Sequence, residues 1–77
     1  MKYIIVKNLG LELPIVFNEI IEHSRIAENW ENKVISAGFC SIHAKDSVMV
    51  HGSSRSLNIN SRPEDAKIIS DSLIFCI

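Results

Sequence analysis

The sequence predicts a single α+β domain over residues 1–77, ordered ββα–ββ(β)α, with a mostly antiparallel sheet of four to five strands and two principal helices on one face. Three observations predict it. Runs of β-branched and aromatic residues recur at 2–7, 11–17 and 34–42, with turn residues between them. Asn18 and Ser61 each stand before a stretch with apolar residues at helical spacing. The length of 77 residues, 47% apolar and 22% charged, suits one globular body rather than a disordered tail.

Lys2-Tyr3-Ile4-Ile5-Val6-Lys7 reads as a strand, Asn8-Leu9-Gly10 supplies turn chemistry, and Leu11 to Phe17 resumes the apolar run. Pro14 has no N–H for a ladder, so this second strand belongs at a sheet edge or is broken. Asn18 then serves as a helix N-cap, with Glu19 and Glu22 in the first turn, where the helix dipole favours acids. Phe17, Ile20, Ile21, Ala27 and Trp30 supply the buried stripe. Ile26 falls off it and Ser24 offers a second cap, so two short helices fit as well as one.

Val34 to Ile42 is the next strand, Ala44-Lys45-Asp46-Ser47 a four-residue turn, and Val48-Met49-Val50-His51 the return. That register sets His43 opposite Val48 and Cys40 opposite His51. It places Ile35, Ala37, Phe39, Val48 and Val50 on one face and Val34, Cys40, Ile42 and Met49 on the other. With both faces apolar the sheet needs cover on two sides, from helices on one and from another subunit on the other. Gly52 to Ser56 is a polar loop or strand extension, and Leu57-Asn58-Ile59 alternates briefly. Ser61-Arg62-Pro63-Glu64 reads as a capping box in which Ser61 caps and Glu64 reaches back. The helix it opens, 62–75, buries Ala66, Ile69 and Leu73, with Ile68 and Phe75 alongside.

Composition narrows the function classes. A chain this short buries only about 60% of its unfolded surface, which favours self-association. Net charge is −1, with four positive and five negative side chains in 1–33 and four of each in 34–77. Without a basic run there is no electrostatic footprint for nucleic acid. Cys40 and Cys76 are too few for a disulfide scaffold and lie in apolar stretches, as core thiols do. The absence of a signal peptide pattern or a membrane-length apolar run points to the cytoplasm.

The candidate ligand site is Gly52-Ser53-Ser54-Arg55-Ser56 with the Ser61-Arg62 helix start. Glycine and serines offer N–H and hydroxyl donors, the helix start a partial positive charge, and Arg55 and Arg62 bidentate phosphate binding. No Gly-x-x-x-x-Gly-Lys or Gly-x-Gly-x-x-Gly pattern accompanies them, and a solvated loop leading to a capped helix explains the same residues. Cys40, His43 and His51, with His23 remote, fall short of a metal set, since the register turns His43 away. Cys40 beside His51 suggests a thiol–imidazole pair but lacks an orienting group and an oxyanion site. Glu19 with Glu22, and Glu64 with Asp65, are explained by the helix dipole. Tyr3, Trp30 and Met49 are the candidate interface residues, the two aromatics being common interface anchors.

Val34-Ile35-Ser36-Ala37-Gly38-Phe39 and the run from Ser54 to Ala66 (SRSLNINSRPEDA) resemble segments of small bacterial and phage-borne proteins of unassigned function. In these a strand ending in Ala-Gly-Phe precedes a Ser-x-Ser-Leu segment and Ser-Arg-Pro-Glu-Asp-Ala at a helix start. The resemblance covers the C-terminal half, transfers no active site, and implies a mobile-element origin. Proteins of that origin often bind a host protein or sequester a ligand. The sequence therefore leads to a non-enzymatic, self-associating module acting by protein–protein contact, without cofactor, metal, nucleic-acid or membrane partners. The alternative is a binder of a small anionic, nucleotide-like ligand through the Ser53–Ser56 loop, Arg55, Arg62 and the start of the last helix.

Overall fold

Tyr3, Ile4, Ile5 and Val6 are all fully buried, which consecutive strand residues achieve only where both sheet faces are covered. The computed structural model describes residues 1–30, 33–44 and 47–73, apart from the side chains of Asn29 and Leu73. Strand β1 (Lys2–Asn8) runs between β2 (Leu11–Phe17) and β3 (Val34–Ala44), and β4 (Ser47–His51) pairs with the far side of β3. All neighbours are antiparallel, in the order β2-β1-β3-β4. Helix α1 (His23–Ala27) and a 3-10 turn (Glu28–Trp30) link β2 to β3. A two-stranded ribbon, β5 (Ser53–Ser54) with β6 (Ile59–Asn60), and helix α2 (Asp65–Leu73) follow β4. The α+β class and the element order are those the sequence predicts.

Leu9 (φ 54°) and Gly10 (φ 80°) both take left-handed backbone between the paired Asn8 and Leu11, the two-residue turn that matches strand twist. Pro14 sits opposite Ile5 in β2, which is an edge strand as its missing N–H requires. A proline there fits a position whose nitrogen faces away from β1, toward the open edge.

The two faces of the sheet are covered differently. Tyr3, Ile5 and Cys40, with Val16, Ile35, Ile42, Val48 and Val50, receive Ile69 and Ile68 of α2. Ile4, Val6 and Ala37, with Ile15, Phe17 and Val34, lie beneath Ile26 and Trp30 and beneath Leu57 and Ile59 of the ribbon. The helices therefore take opposite faces instead of sharing one, and the chain itself covers the face that the sequence reading reserved for another subunit. The cause is local. Asn18 does not cap a helix: its Oδ1 accepts from Ile20 N at 2.9 Å and its carbonyl from Ile21 N at 3.0 Å, closing a turn. Ile20 and Ile21 are left 85% and 39% exposed. The helix starts only at His23, after a Glu22 N-cap that makes no side-chain bond, and Ile26 becomes its inward residue.

Register explains the rest. Cys40 faces Val50 and His51 faces Phe39, one residue away from the expected pairing. Ala44 pairs with Ser47 and Ile42 with Val48, so His43 is an extra residue in a bulge and the turn is shorter than four residues. Lys45 and Asp46 lie outside the described residues. The slip moves Val48 and Val50 onto the face of Cys40 and Ile42, and leaves Met49 and His51 on the other. A second irregularity, between Ile5–Ser36 and Val6–Val34, turns Ile35 toward α2. Gly38 allows the ribbon to close on β3: a Cβ there would lie 2.7 Å from the His51 carbonyl oxygen and 3.0 Å from Ser61 Cβ. Among the described residues no helix is long and apolar enough to cross a membrane.

Candidate functional site

Gly52, at φ +75°, turns the chain from β4 back over the sheet. Ser61 closes that turn from the far end, its backbone N and its Oγ both donating to the Gly52 carbonyl, at 3.1 and 2.7 Å. Ser54 is 1% exposed; its Oγ accepts from Leu57 N at 3.2 Å and shares a 3.3 Å bond with Ser56 Oγ, fastening the loop from inside. Ser53, Arg55 and Ser56 remain exposed and meet Lys2, Glu22, His23 and Phe39 around a cleft of about 570 Å³.

Arg62 is engaged elsewhere. Its Nη2 lies 2.9 Å from Glu12 Oε1 and 2.9 Å from Asp65 Oδ1, and its Nε donates to Asp65 Oδ1 at 3.0 Å. Burial works against its charge, but the hydrogen bonds and charges of Glu12 and Asp65 outweigh it and raise the guanidinium pKa. Of the expected ligand residues, the fold gathers Ser53, Arg55 and Ser56 at the cleft, with Gly52 shaping the loop. Ser54 and Ser61 hold the loop together, and Arg62 binds two carboxylates.

The capping box is displaced by one residue. Ser61 spends its hydroxyl on Gly52, and Glu64 is exposed. Arg62 N donates instead to Asp65 Oδ2 at 2.9 Å. Proline favours the first helical position, which makes Arg62 the cap and Asp65 the third residue, where a carboxylate reaches back. Pro63 was thus the signal for Asp65. That side chain is fully buried, and it also accepts from Tyr3 Oη at 2.6 Å and from Ser36 Oγ at 3.0 Å. Sequence reasoning assigned Asp65, together with Glu64, only to the helix dipole at the start of the last helix.

The other candidates separate. The Cys40 thiol is 2% exposed and raised in pKa by burial, the opposite of an activated nucleophile, and His51 stacks on Phe39 at 5.8 Å. Among the described residues no three His, Cys, Asp or Glu are grouped to hold a metal. Compared with protein-family models, curated proteins and solved structures, the chain matches none. Of the interface candidates, Tyr3 is fully buried, Trp30 packs half-buried on Ile4, Val6 and Ala37, and Met49 is 64% exposed on β4. Cys76 and Phe75 lie outside the described residues, as does the Leu73 side chain.

Proposed function

We propose that this chain is a non-enzymatic binding module of the cytoplasm that acts by protein–protein contact and pairs with a second copy of itself through β4. The supporting observation is the contrast between the two edges of the sheet. Edge strand β2 carries Glu12 and Pro14, the residue types that discourage pairing with another chain. Edge strand β4, Ser-Val-Met-Val-His, carries neither proline nor a formally charged side chain. Met49 stands exposed at its centre. Two such strands pair antiparallel about a two-fold axis at Met49, with Ser47 of each copy opposite His51 of the other. Main-chain bonds along the edge and burial of both Met49 side chains drive the contact.

Leu9, Leu11 and Leu13, 94, 63 and 40% exposed at the opposite edge, offer a separate apolar surface for a foreign protein. That assignment accords with a mobile-element origin. Light scattering over a concentration range tests the self-pairing. The wild type is expected at twice the chain mass when concentrated, and Met49→Lys, with two lysines facing at the axis, at the monomer mass with unchanged circular dichroism. A wild type that stays monomeric, or a Met49→Lys variant that stays dimeric, contradicts the reading.

A further inference from the structure

We propose that the cleft between α1 and the ribbon binds a small phosphate monoester, a function separate from the β4 contact. The cleft joins Lys2 of β1, His23 of α1, Phe39 of β3 and Ser53, Arg55 and Ser56 of the ribbon, so ligand contacts would come from four elements of the fold. Its volume, about 570 Å³, is that of a small-molecule site.

Its donors are uncommitted to a degree that the other arginine site is not. Arg55 makes no hydrogen bond or ion pair among the described residues, whereas Arg62 is bound to two carboxylates. Lys2 Nζ spends one bond on the Ile21 carbonyl, at 3.1 Å, which holds the ammonium beside the cleft and 5.9 Å from the centre of the Phe39 ring. His23 is 4% exposed and fixed by ring edges against Phe17 and Phe39, at 5.5 and 5.8 Å. Its Nε2 bonds the Gly38 carbonyl at 2.9 Å, so that nitrogen carries the proton. Among the described residues no buried side-chain nitrogen lacks a partner, so the unbonded Nδ1 is not sealed in the core, and His23 is one of the residues lining the cleft.

The donor set selects the ligand. A guanidinium with all its N–H groups free, an ammonium with two left, and the Ser53 hydroxyl outnumber the two oxygens of a carboxylate and suit a tetrahedral dianion. Glu22 at the rim leaves one net positive charge from Lys2, Arg55 and Glu22, enough to favour an anion while disfavouring highly charged chains. The apolar wall of Phe39 accommodates the organic part.

Titration of the full chain with adenosine 5′-monophosphate, followed by amide chemical shifts, tests the assignment, with adenosine as the phosphate-free control. Expected are saturable shifts at residues 53–56 and at Phe39, little response to adenosine, and a loss of about ten-fold or more in affinity in Arg55→Ala. Arg25→Ala removes an equal charge from a residue outside the cleft lining and leaves binding unchanged. No saturable shift at millimolar ligand, equal binding of adenosine, or an equal loss in Arg25→Ala would overturn it.

Discussion

Tyr3 Oη donates a 2.6 Å hydrogen bond to Asp65 Oδ2, joining residues 62 apart in sequence, both fully buried. The same carboxylate accepts from Ser36 Oγ and from the backbone and guanidinium of Arg62. Arg62 carries the chain of contacts on to Glu12 at the edge of the sheet. One side chain at the start of α2 thereby ties that helix to β1 and β3 directly and to β2 through Arg62.

Removing it has a graded consequence. Asp65→Ala leaves the Tyr3 and Ser36 hydroxyls without their buried acceptor and should cost about 3 kcal/mol or more. Glu12→Gln touches only the outer, partly solvated ion pair and should cost less than about 1 kcal/mol. Urea unfolding with an unchanged slope measures both. An Asp65→Ala midpoint equal to wild type contradicts the arrangement.

Stability should also fall in alkali. Burial first, and then the hydrogen bond and charge of Asp65, push the Tyr3 phenol well above its ordinary pKa of about 10. In the unfolded chain the phenol loses its proton from about pH 10 upward while the folded chain keeps it, so the unfolded state binds fewer protons. The stabilisation is complete below about pH 10 and declines as pH rises above it. The advantage of wild type over Tyr3→Phe should therefore shrink between about pH 9 and 11. A constant difference across that range contradicts the shift.

Cys40 should behave as a core residue. Burial raises its thiol pKa, outweighing the opposing N-terminal charge, and thiolate is the reactive form. In a Cys76→Ser background, iodoacetamide should label the native protein far more slowly than the urea-unfolded chain. Equal rates would restore Cys40 as a candidate nucleophile.

Strand identity was legible in the sequence because β-branched runs and Pro14 act locally. Which side of the sheet each element covers was not. The bulge at His43 shifts β4 by one residue, and a one-residue slip exchanges faces, so Cys40 gained Val50 and lost His51. Apolar spacing at Ile20 and Ile21 imitated a helix stripe, while the Asn18 side chain, satisfying Ile20 N, made a turn the better local solution. At the cleft, Ser53, Arg55 and Ser56 were readable as a polar loop. Lys2 and His23, 51 and 30 residues before Ser53, joined them only through tertiary packing. Arg62 looked like a free cation because one partner, Glu12, lies 50 residues away, and the other, Asp65, was assigned to the helix dipole.

The self-pairing of β4 is tested most directly by amide hydrogen exchange at two protein concentrations. The account predicts that amides within 47–51 exchange more slowly in the concentrated sample and return to monomer rates on dilution, while those of 11–17 stay unchanged. Exchange in β4 that is independent of concentration, or protection that develops along β2 instead, would contradict it.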